Sequence, residues 1–400
     1  MVITNRPSPT QVLGTRAVNS EHYLGSMLRS VARLTFGVCM ALALLHSGAV
    51  AAAASARTPQ APLDAPPELK RLVGEYGAPD SLLTIYESDG QLFADGNGLT
   101  RVALRRLSPI EYEAGKGLHR SVHLKFDADG LREIVDVDVG DKRLPRLDIG
   151  RDTVEHFRSS VRADAGALRA KALAATPPVE PAPKRATDLV DLASLGSSIR
   201  FDIRYATSNN FMGFPLYETP AAFLQRPAAQ ALRRAAQSLA PRGYGLLVHD
   251  AYRPWFVTKM FWDATPAAAH IFVADPAEGS RHNRGCAVDL TLYELASGKP
   301  VEMTGSYDEM SPRSFADFPG GTSRQRFLRD LLRTAMEAQG FAVYAEEWWH
   351  FDYQDWHDYA IGNVTFEHLR ARETIPNAQA ALAVRGAPSQ DRDHPGTAAR

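Results

Sequence analysis

Three short segments concentrate residue types that are costly to bury unless they are used. The first runs Ser280-Arg281-His282-Asn283-Arg284-Gly285-Cys286-Ala287-Val288-Asp289, with Gly285 permitting a turn between His282 and Asp289. Val288, Leu290 and Leu292 alternate with Asp289, Thr291 and Tyr293, so a strand would carry the two sets on opposite faces. An aspartate on an apolar strand needs a partner, because an unpaired buried carboxylate is strongly unfavourable. A divalent metal is one solution and exposure to solvent is the other. The second segment is Glu346-Glu347-Trp348-Trp349-His350-Phe351. Glu347 and His350 are three apart, so a helical turn or an irregular bend would bring both to one face. A histidine ligand beside a carboxylate base is what a water-activating zinc site requires. The competing reading is a hydrogen-bonded histidine in an aromatic cluster. The third segment, His249-Asp250-Ala251-Tyr252-Arg253-Pro254, follows a strand. Its Arg253 is a permanent cation, suited either to a salt bridge with Asp250 or to a developing oxyanion.

Taken together, these segments strongly resemble the D-alanyl-D-alanine dipeptidases, the zinc peptidases known from vancomycin resistance. The pattern Ser-x-His-x-x-Gly-x-Ala-x-Asp is met by Ser280, His282, Gly285, Ala287 and Asp289. Glu-x-Trp-His is met by Glu347, Trp349 and His350, and Tyr-Arg-Pro by Tyr252, Arg253 and Pro254. A further stretch, Phe201 to Thr207 with Asn209-Asn210-Phe211, is also similar, and the resemblance covers about residues 190–365. It implies one zinc per chain on His282, Asp289 and His350, with a fourth position open for water. It implies Glu347 as general base and acid, Arg253 as stabiliser of the oxyanion, and Asp308 with Ser280 as the groups that meet the free ammonium of a dipeptide. The implied reaction is hydrolysis of D-alanyl-D-alanine to two D-alanine. Two alternatives stay open: a D,D-carboxypeptidase or endopeptidase acting on longer wall peptides, and a catalytically silent binder of wall fragments. Glu347 and Arg253 beside all three ligands argue against the silent binder, which needs neither. Cys286 reads as a small inward-packed strand residue, since a fourth protein ligand would close the site. His249 and His357 read as structural or exposed, and Glu346 as the solvent-side neighbour of Glu347.

The elements that must position these residues read as an α+β domain, with a small antiparallel sheet flanked by helices, over residues 188–372. Strand-like Ser198–Tyr205 and Gly245–His249 bracket an alanine-rich helix over Pro227–Leu239, with Ala228, Ala231, Leu232, Ala235 and Leu239 on one face. A second periodic helix is predicted over Ser323–Gln339, with Gly340 as its stop. Residues 68–150 read instead as a small all-β, barrel-like domain. Short strands there are separated by Asp89-Gly90, Asp95-Gly96-Asn97-Gly98, Asp129-Gly130 and Gly140-Asp141, which is hairpin chemistry. The pattern weakly resembles the lipocalin-like β domain appended to bacterial serine hydrolases, whose Ser-x-x-Lys nucleophile motif is missing from this chain. A Pro-rich linker spans 57–67, and a helix predicted over Thr153–Ala174 followed by a Pro-rich linker fills 151–187.

The ends of the chain read as targeting sequence and tail. An apolar run from Leu34 to about Ala54 follows Arg29 and Arg33 and ends at Ala54-Ser55-Ala56, the pattern of a cleaved signal peptide within residues 1–56. Met27 is a candidate start, and the mature protein would begin near Arg57, exported to the periplasm, or secreted where there is no outer membrane. Residues 373–400 are polar and read as a disordered tail. Of 400 residues, 45 are Lys or Arg and 46 Asp or Glu, so a net charge of −1 offers no field for nucleic acid. The expected partner is a small peptide substrate, with no membrane span left after signal cleavage. Two cysteines exclude a disulfide scaffold and any multi-thiolate metal site.

Overall fold

The computed structural model describes residues 60–371, apart from 79–80, 116–121, 129–133, 148–154, 156, 159–160, 162–163, 182–183 and 197. The signal peptide, the C-terminal tail, the Asp129-Gly130 turn and much of the first half of the helix predicted from Thr153 lie outside the described residues.

Eight strands follow one another in an antiparallel meander: β1 (Gly74–Tyr76), β2 (Leu83–Ser88), β3 (Gln91–Gly96), β4 (Leu99–Arg106), β5 (Glu111–Ala114), β6 (Val122–Ala128), β7 (Ile134–Val139) and β8 (Lys142–Pro145). The turns between them match the sequence chemistry. Asp89 and Gly90 have φ of 51° and 80°, and Asn97 and Gly98 have 52° and 85°, as a type I′ hairpin requires of both central residues. The meander comes back on itself where Gly77 N–H donates to Pro145 C=O at 2.8 Å and Leu147 N–H to Glu75 C=O at 2.9 Å. This nearly closes a barrel and covers the edges that an open sheet would expose. Alternation along β2 sends Leu83 and Ile85 inward, to pack with Tyr76, Tyr112, Leu124, Phe126 and Val137. A short helix, α1 (Pro67–Lys70), adds Leu69 to the same core.

A second core surrounds a five-stranded sheet in the order β10-β12-β13-β15-β14. Its elements, in chain order, are α2 (Ala165–Ala174), β9 (Leu189–Asp191), β10 (Ile199–Phe201), β11 (Phe223–Gln225), α3 (Arg226–Leu239), β12 (Tyr244–Asp250), α4 (Trp255–Ala264), β13 (Ala287–Glu294), α5 (Ser323–Glu337), β14 (Phe341–Tyr344) and β15 (Glu347–Tyr353). Strands β9 and β11 form a separate antiparallel pair. The predicted apolar faces of α3 and α5 are the buried ones, with Leu232, Leu239, Leu328 and Leu332 fully packed. A capping box starts α5: Gln325 N–H donates to Thr322 Oγ1 at 3.2 Å, and Thr322 N–H to Gln325 Oε1 at 2.8 Å.

Two expectations need correction. The sheet is mixed rather than antiparallel throughout, because β10 runs parallel to β12, with α3 in the connection between them. The strand expected over Ser198–Tyr205 ends at Phe201 and turns into a 3-10 turn at Arg204–Ala206. Buried Asn210 draws the chain away there, its Nδ2 donating to the carbonyls of Arg204, Thr207 and Phe214 and its Oδ1 accepting from Met212 N–H and Gly213 N–H. Of the two local shapes open for Glu347 and His350, a helical turn or an irregular bend, the chain takes the irregular one, on strand β15. The Pro-rich stretch before β9 is also tied down. Glu180 pairs with Arg284 at 2.6 Å and accepts from Ile361 N–H at 2.7 Å, and Arg185 pairs with Asp355 at 3.0 Å.

Candidate active site

Antiparallel pairing of β13 with β15 sets Asp289 directly opposite His350. His282 reaches the same point from a 3-10 turn before β13, which Gly285 ends in the left-handed region at φ 67°. A Cβ at Gly285 would collide with Leu189, so glycine is needed there for shape as well as conformation. Gln225 of β11 fastens this turn, its side chain donating to Arg284 C=O at 2.9 Å and its N–H to Gly285 C=O at 2.8 Å.

Three donor atoms converge. His282 Nε2 lies 3.0 Å from His350 Nδ1 and 3.3 Å from Asp289 Oδ1, and His350 Nδ1 lies 3.0 Å from Asp289 Oδ1. All three residues are buried, and together they form a group able to hold a metal ion. The opposite ring nitrogens are occupied. His282 Nδ1 is 2.6 Å from the Ala251 carbonyl, and His350 Nε2 is 2.8 Å from Asp352 Oδ1. A carbonyl can only accept, so His282 Nδ1 carries a proton and Nε2 offers its lone pair inward. Two imidazole nitrogens and a carboxylate aimed at one point need a cation between them. A tetrahedral metal with bonds of about 2.0–2.1 Å holds its ligand atoms roughly 3.3 Å apart, so the donor set fits. Electrostatics agree. Against their burial, the histidines hold the Asp289 carboxyl well below the usual range, and Asp352 and Asp289 hold His350 well above its own.

Glu347 Oε2 stands 3.7 Å from His350 Nδ1, and burial pushes its carboxyl up to about 7. On a regular strand residues three apart face opposite sides. A register irregularity restores the match: Tyr344 pairs with Glu347, whereas Val343 pairs with Phe351. Arg253 makes the salt bridge expected of it with Asp250 and faces the same cleft as Asp289. Its Nε donates to Asp250 Oδ2 at 2.9 Å, its guanidinium lies 3.7 Å from Asp289 Oδ2, and it sits over the rings of Phe261 and Tyr205. Its backbone is stitched to the ligand turn through Arg253 N–H to His282 C=O at 3.1 Å.

Asp308 and Ser280 line the same small cleft, of about 110 Å³, as the metal-binding atoms, Glu347 and Arg253. Asp308 sits in the left-handed region at φ 59°, and Tyr205 donates its hydroxyl to Oδ1 at 3.0 Å. Its Oδ2 is buried with no hydrogen-bond partner among the described residues. Burial and the nearby Asp289 charge push this carboxyl well above the usual range. Ser280 Oγ accepts from His282 N–H at 3.2 Å. Cys286 is fully buried next to β13 and outside the metal-binding group, and burial pushes its thiol up to about 12. His249 is buried against Tyr307, and His357 is exposed and stacked on Trp356.

Sequence reasoning missed three residues around the site. Asp352 holds His350 from behind, Tyr307 donates to Asp289 Oδ2 at 3.0 Å, and Tyr205 donates to Asp308. Asp352 had a signal, being two residues beyond His350, but only if that segment is a strand. Tyr205 lay in the family-like stretch from Phe201 to Thr207, but neither tyrosine's partner could be read from its spacing.

A buried two-histidine, one-carboxylate group with a glutamate and an arginine beside it is an arrangement a metal-dependent hydrolase can use. The family model described as D-ala-D-ala dipeptidase, peptidase M15, matches residues 185–369. A protein of Escherichia coli named D-alanyl-D-alanine dipeptidase is 35% identical over 166 residues, covering 42% of this chain and 84% of the relative. One of the same name from Enterococcus faecalis is 37% identical over 171 residues, covering 38% and 85%. Another from Streptomyces coelicolor is 36% identical over 182 residues, covering 41% and 90%. The chain belongs to the D-ala-D-ala dipeptidase family of metallopeptidases. The family match begins after the barrel, at residue 185.

Proposed function

We propose that the protein hydrolyses D-alanyl-D-alanine to two molecules of D-alanine, with one zinc ion held by His282, Asp289 and His350. Zinc there would polarise the scissile carbonyl and make water a nucleophile at neutral pH. Glu347 takes a proton from the attacking water and passes it to the leaving amine as the C–N bond breaks, so one carboxylate serves both transfers. Arg253, held by Asp250, stabilises the charge that develops on the carbonyl oxygen. Ser280 and Asp308 receive the substrate amine.

The observation that carries the substrate is the buried Oδ2 of Asp308, without a partner among the described residues and in the same cleft as the metal-binding atoms. Oδ2 lacks a partner that the ammonium of a free dipeptide, which lies next to its scissile bond, would supply. The relatives' shared name, D-alanyl-D-alanine dipeptidase, supports the same substrate.

The test is D-alanine release from D-Ala-D-Ala, from N-acetyl-D-Ala-D-Ala and from a pentapeptide, each with and without chelator. Chelator-sensitive release from the free dipeptide above the other two is expected; equal cleavage of the pentapeptide would make the enzyme a carboxypeptidase. We infer in addition that the protein acts outside the cytoplasmic membrane after cleavage near Arg57, supported by the apolar run and its Ala-Ser-Ala end. N-terminal sequencing of exported material tests this, and a retained Leu34–Ala54 segment would overturn it.

A further inference from the structure

The connection from β13 to α5 carries Asp308, and its central part is bonded to itself around Glu309. Ser306 N–H donates to Glu309 Oε2 at 2.7 Å, Ser311 Oγ–H to Oε1 at 2.7 Å, and Ser314 Oγ–H to the Glu309 carbonyl. The two ends of this loop touch: a Cβ on Gly305 would lie 2.8 Å from both the Cβ and the carbonyl oxygen of Arg313. Asp308 is at the tip, in the left-handed region that aspartate tolerates better than most side chains.

The barrel grips this same connection at three points along its length. At the start, Lys70 of α1 pairs with Glu302. At the neck, Arg313 donates from Nε to Glu75 Oε2 of β1 at 2.6 Å, and its Nη1 lies 3.9 Å from Glu309 Oε1. At the end, Glu87 of β2 accepts from Ser323 N–H at 2.9 Å and from Ser323 Oγ–H at 3.0 Å, while Glu87 N–H donates to Gly321 C=O at 3.0 Å. The first pair is exposed and contributes little. Glu75 and Glu87 are only 3% and 2% exposed, so these carboxylates depend on the partners they meet across the interface.

We propose that the barrel is a positioning module for the substrate loop and that Glu75 is its positioning residue. Glu75 fixes Arg313, Arg313 fixes the neck beside Glu309, and Glu309 fixes the tip that presents Asp308. The barrel thereby sets how well the enzyme recognises a free amino terminus. This rests on the reading of Asp308 as the partner of the substrate ammonium.

The experiment uses the full chain loaded with zinc, comparing Glu75→Ala, Glu75→Gln, Asp308→Asn and the Glu75→Ala/Asp308→Asn double variant. kcat and KM are measured on D-Ala-D-Ala and on N-acetyl-D-Ala-D-Ala, with zinc content and thermal midpoint confirming the fold. A misplaced charge-assisted hydrogen bond is worth about tenfold or more, so Glu75→Ala should raise KM for the free dipeptide about tenfold. Its kcat should stay within about twofold and its activity on the acetylated analogue should be unchanged, because the catalytic groups lie on other elements. Glu75→Gln keeps an acceptor oxygen for Arg313 and should fall between Glu75→Ala and the native protein. In the Asp308→Asn background Glu75→Ala should add nothing. Equal losses on both substrates, or additive losses in the double variant, would overturn the positioning role alone. An Asp308→Asn variant that keeps its full preference for the free dipeptide would overturn the reading of Asp308, and the positioning role with it.

Discussion

His350 Nε2 lies 2.8 Å from Oδ1 of Asp352, two residues further along the same face of β15. Burial pushes the Asp352 carboxyl up, but His350 and Arg281 outweigh it and hold it below the ordinary range. An ionised Asp352 fixes the His350 ring and makes its inward nitrogen a better donor. Asp352→Asn should therefore weaken metal binding about 10–100-fold while leaving the fold intact. Competition with a chromophoric chelator measures it, and unchanged affinity would remove Asp352 from the metal site.

Glu347→Gln should keep the metal and lose about 10²–10⁴-fold in turnover, since the amide cannot accept the proton. Metal analysis and kcat on one preparation separate the two effects. Near-native turnover would make Glu346 the next candidate for the base.

His350→Ala should abolish stoichiometric metal binding. A metal at 100 times its dissociation constant stabilises the folded state by about 2.7 kcal/mol. Chelator should therefore lower the thermal midpoint of the native protein and leave that of the variant unmoved. Full metal occupancy in the variant would place the site elsewhere.

His249 makes the fold sensitive to acid. Burial and the neighbouring Arg204 push its imidazole down to about 4 from an ordinary 6.5. The unfolded chain thus binds the proton first, and this contribution to stability is complete above pH 6.5 and lost as pH falls towards 4. It amounts to about 3 kcal/mol at most. Urea unfolding of metal-stripped native protein and His249→Phe across this range should show a shallower pH dependence in the variant. Parallel curves would show that His249 binds its proton equally well in the folded and unfolded states.

Much of this was readable from sequence because the signals are local. The hairpin turns at Asp89-Gly90 and Asn97-Gly98 declare their backbone conformation, and the faces of α3 and α5 repeat at helical spacing. His282, Asp289 and His350 were legible as chemistry, and the structure brings them together. What escaped was non-local. Spacing of three between Glu347 and His350 left a helical turn and an irregular bend equally open, and only the pairing of β14 with β15 decides for the bend. Tyr307 reaches Asp289 from 18 residues away, and Tyr205 reaches Asp308 across 103, distances at which no periodicity carries information.

The contacts of Lys70, Glu75 and Glu87 with the peptidase side join residues 232, 238 and 236 positions apart. Contacts so remote form only after both cores exist, because chain closure over that length must precede them. Excising the peptidase from this chain would strip Arg313 of Glu75 and the start of α5 of Glu87, and would leave the barrel with two carboxylates in surroundings built for partners. The two halves are thus no longer interchangeable parts. A barrel borrowed from another protein would need carboxylates placed as Glu75 and Glu87 are, and a peptidase domain cut to its family boundaries would need new partners for Arg313 and Ser323.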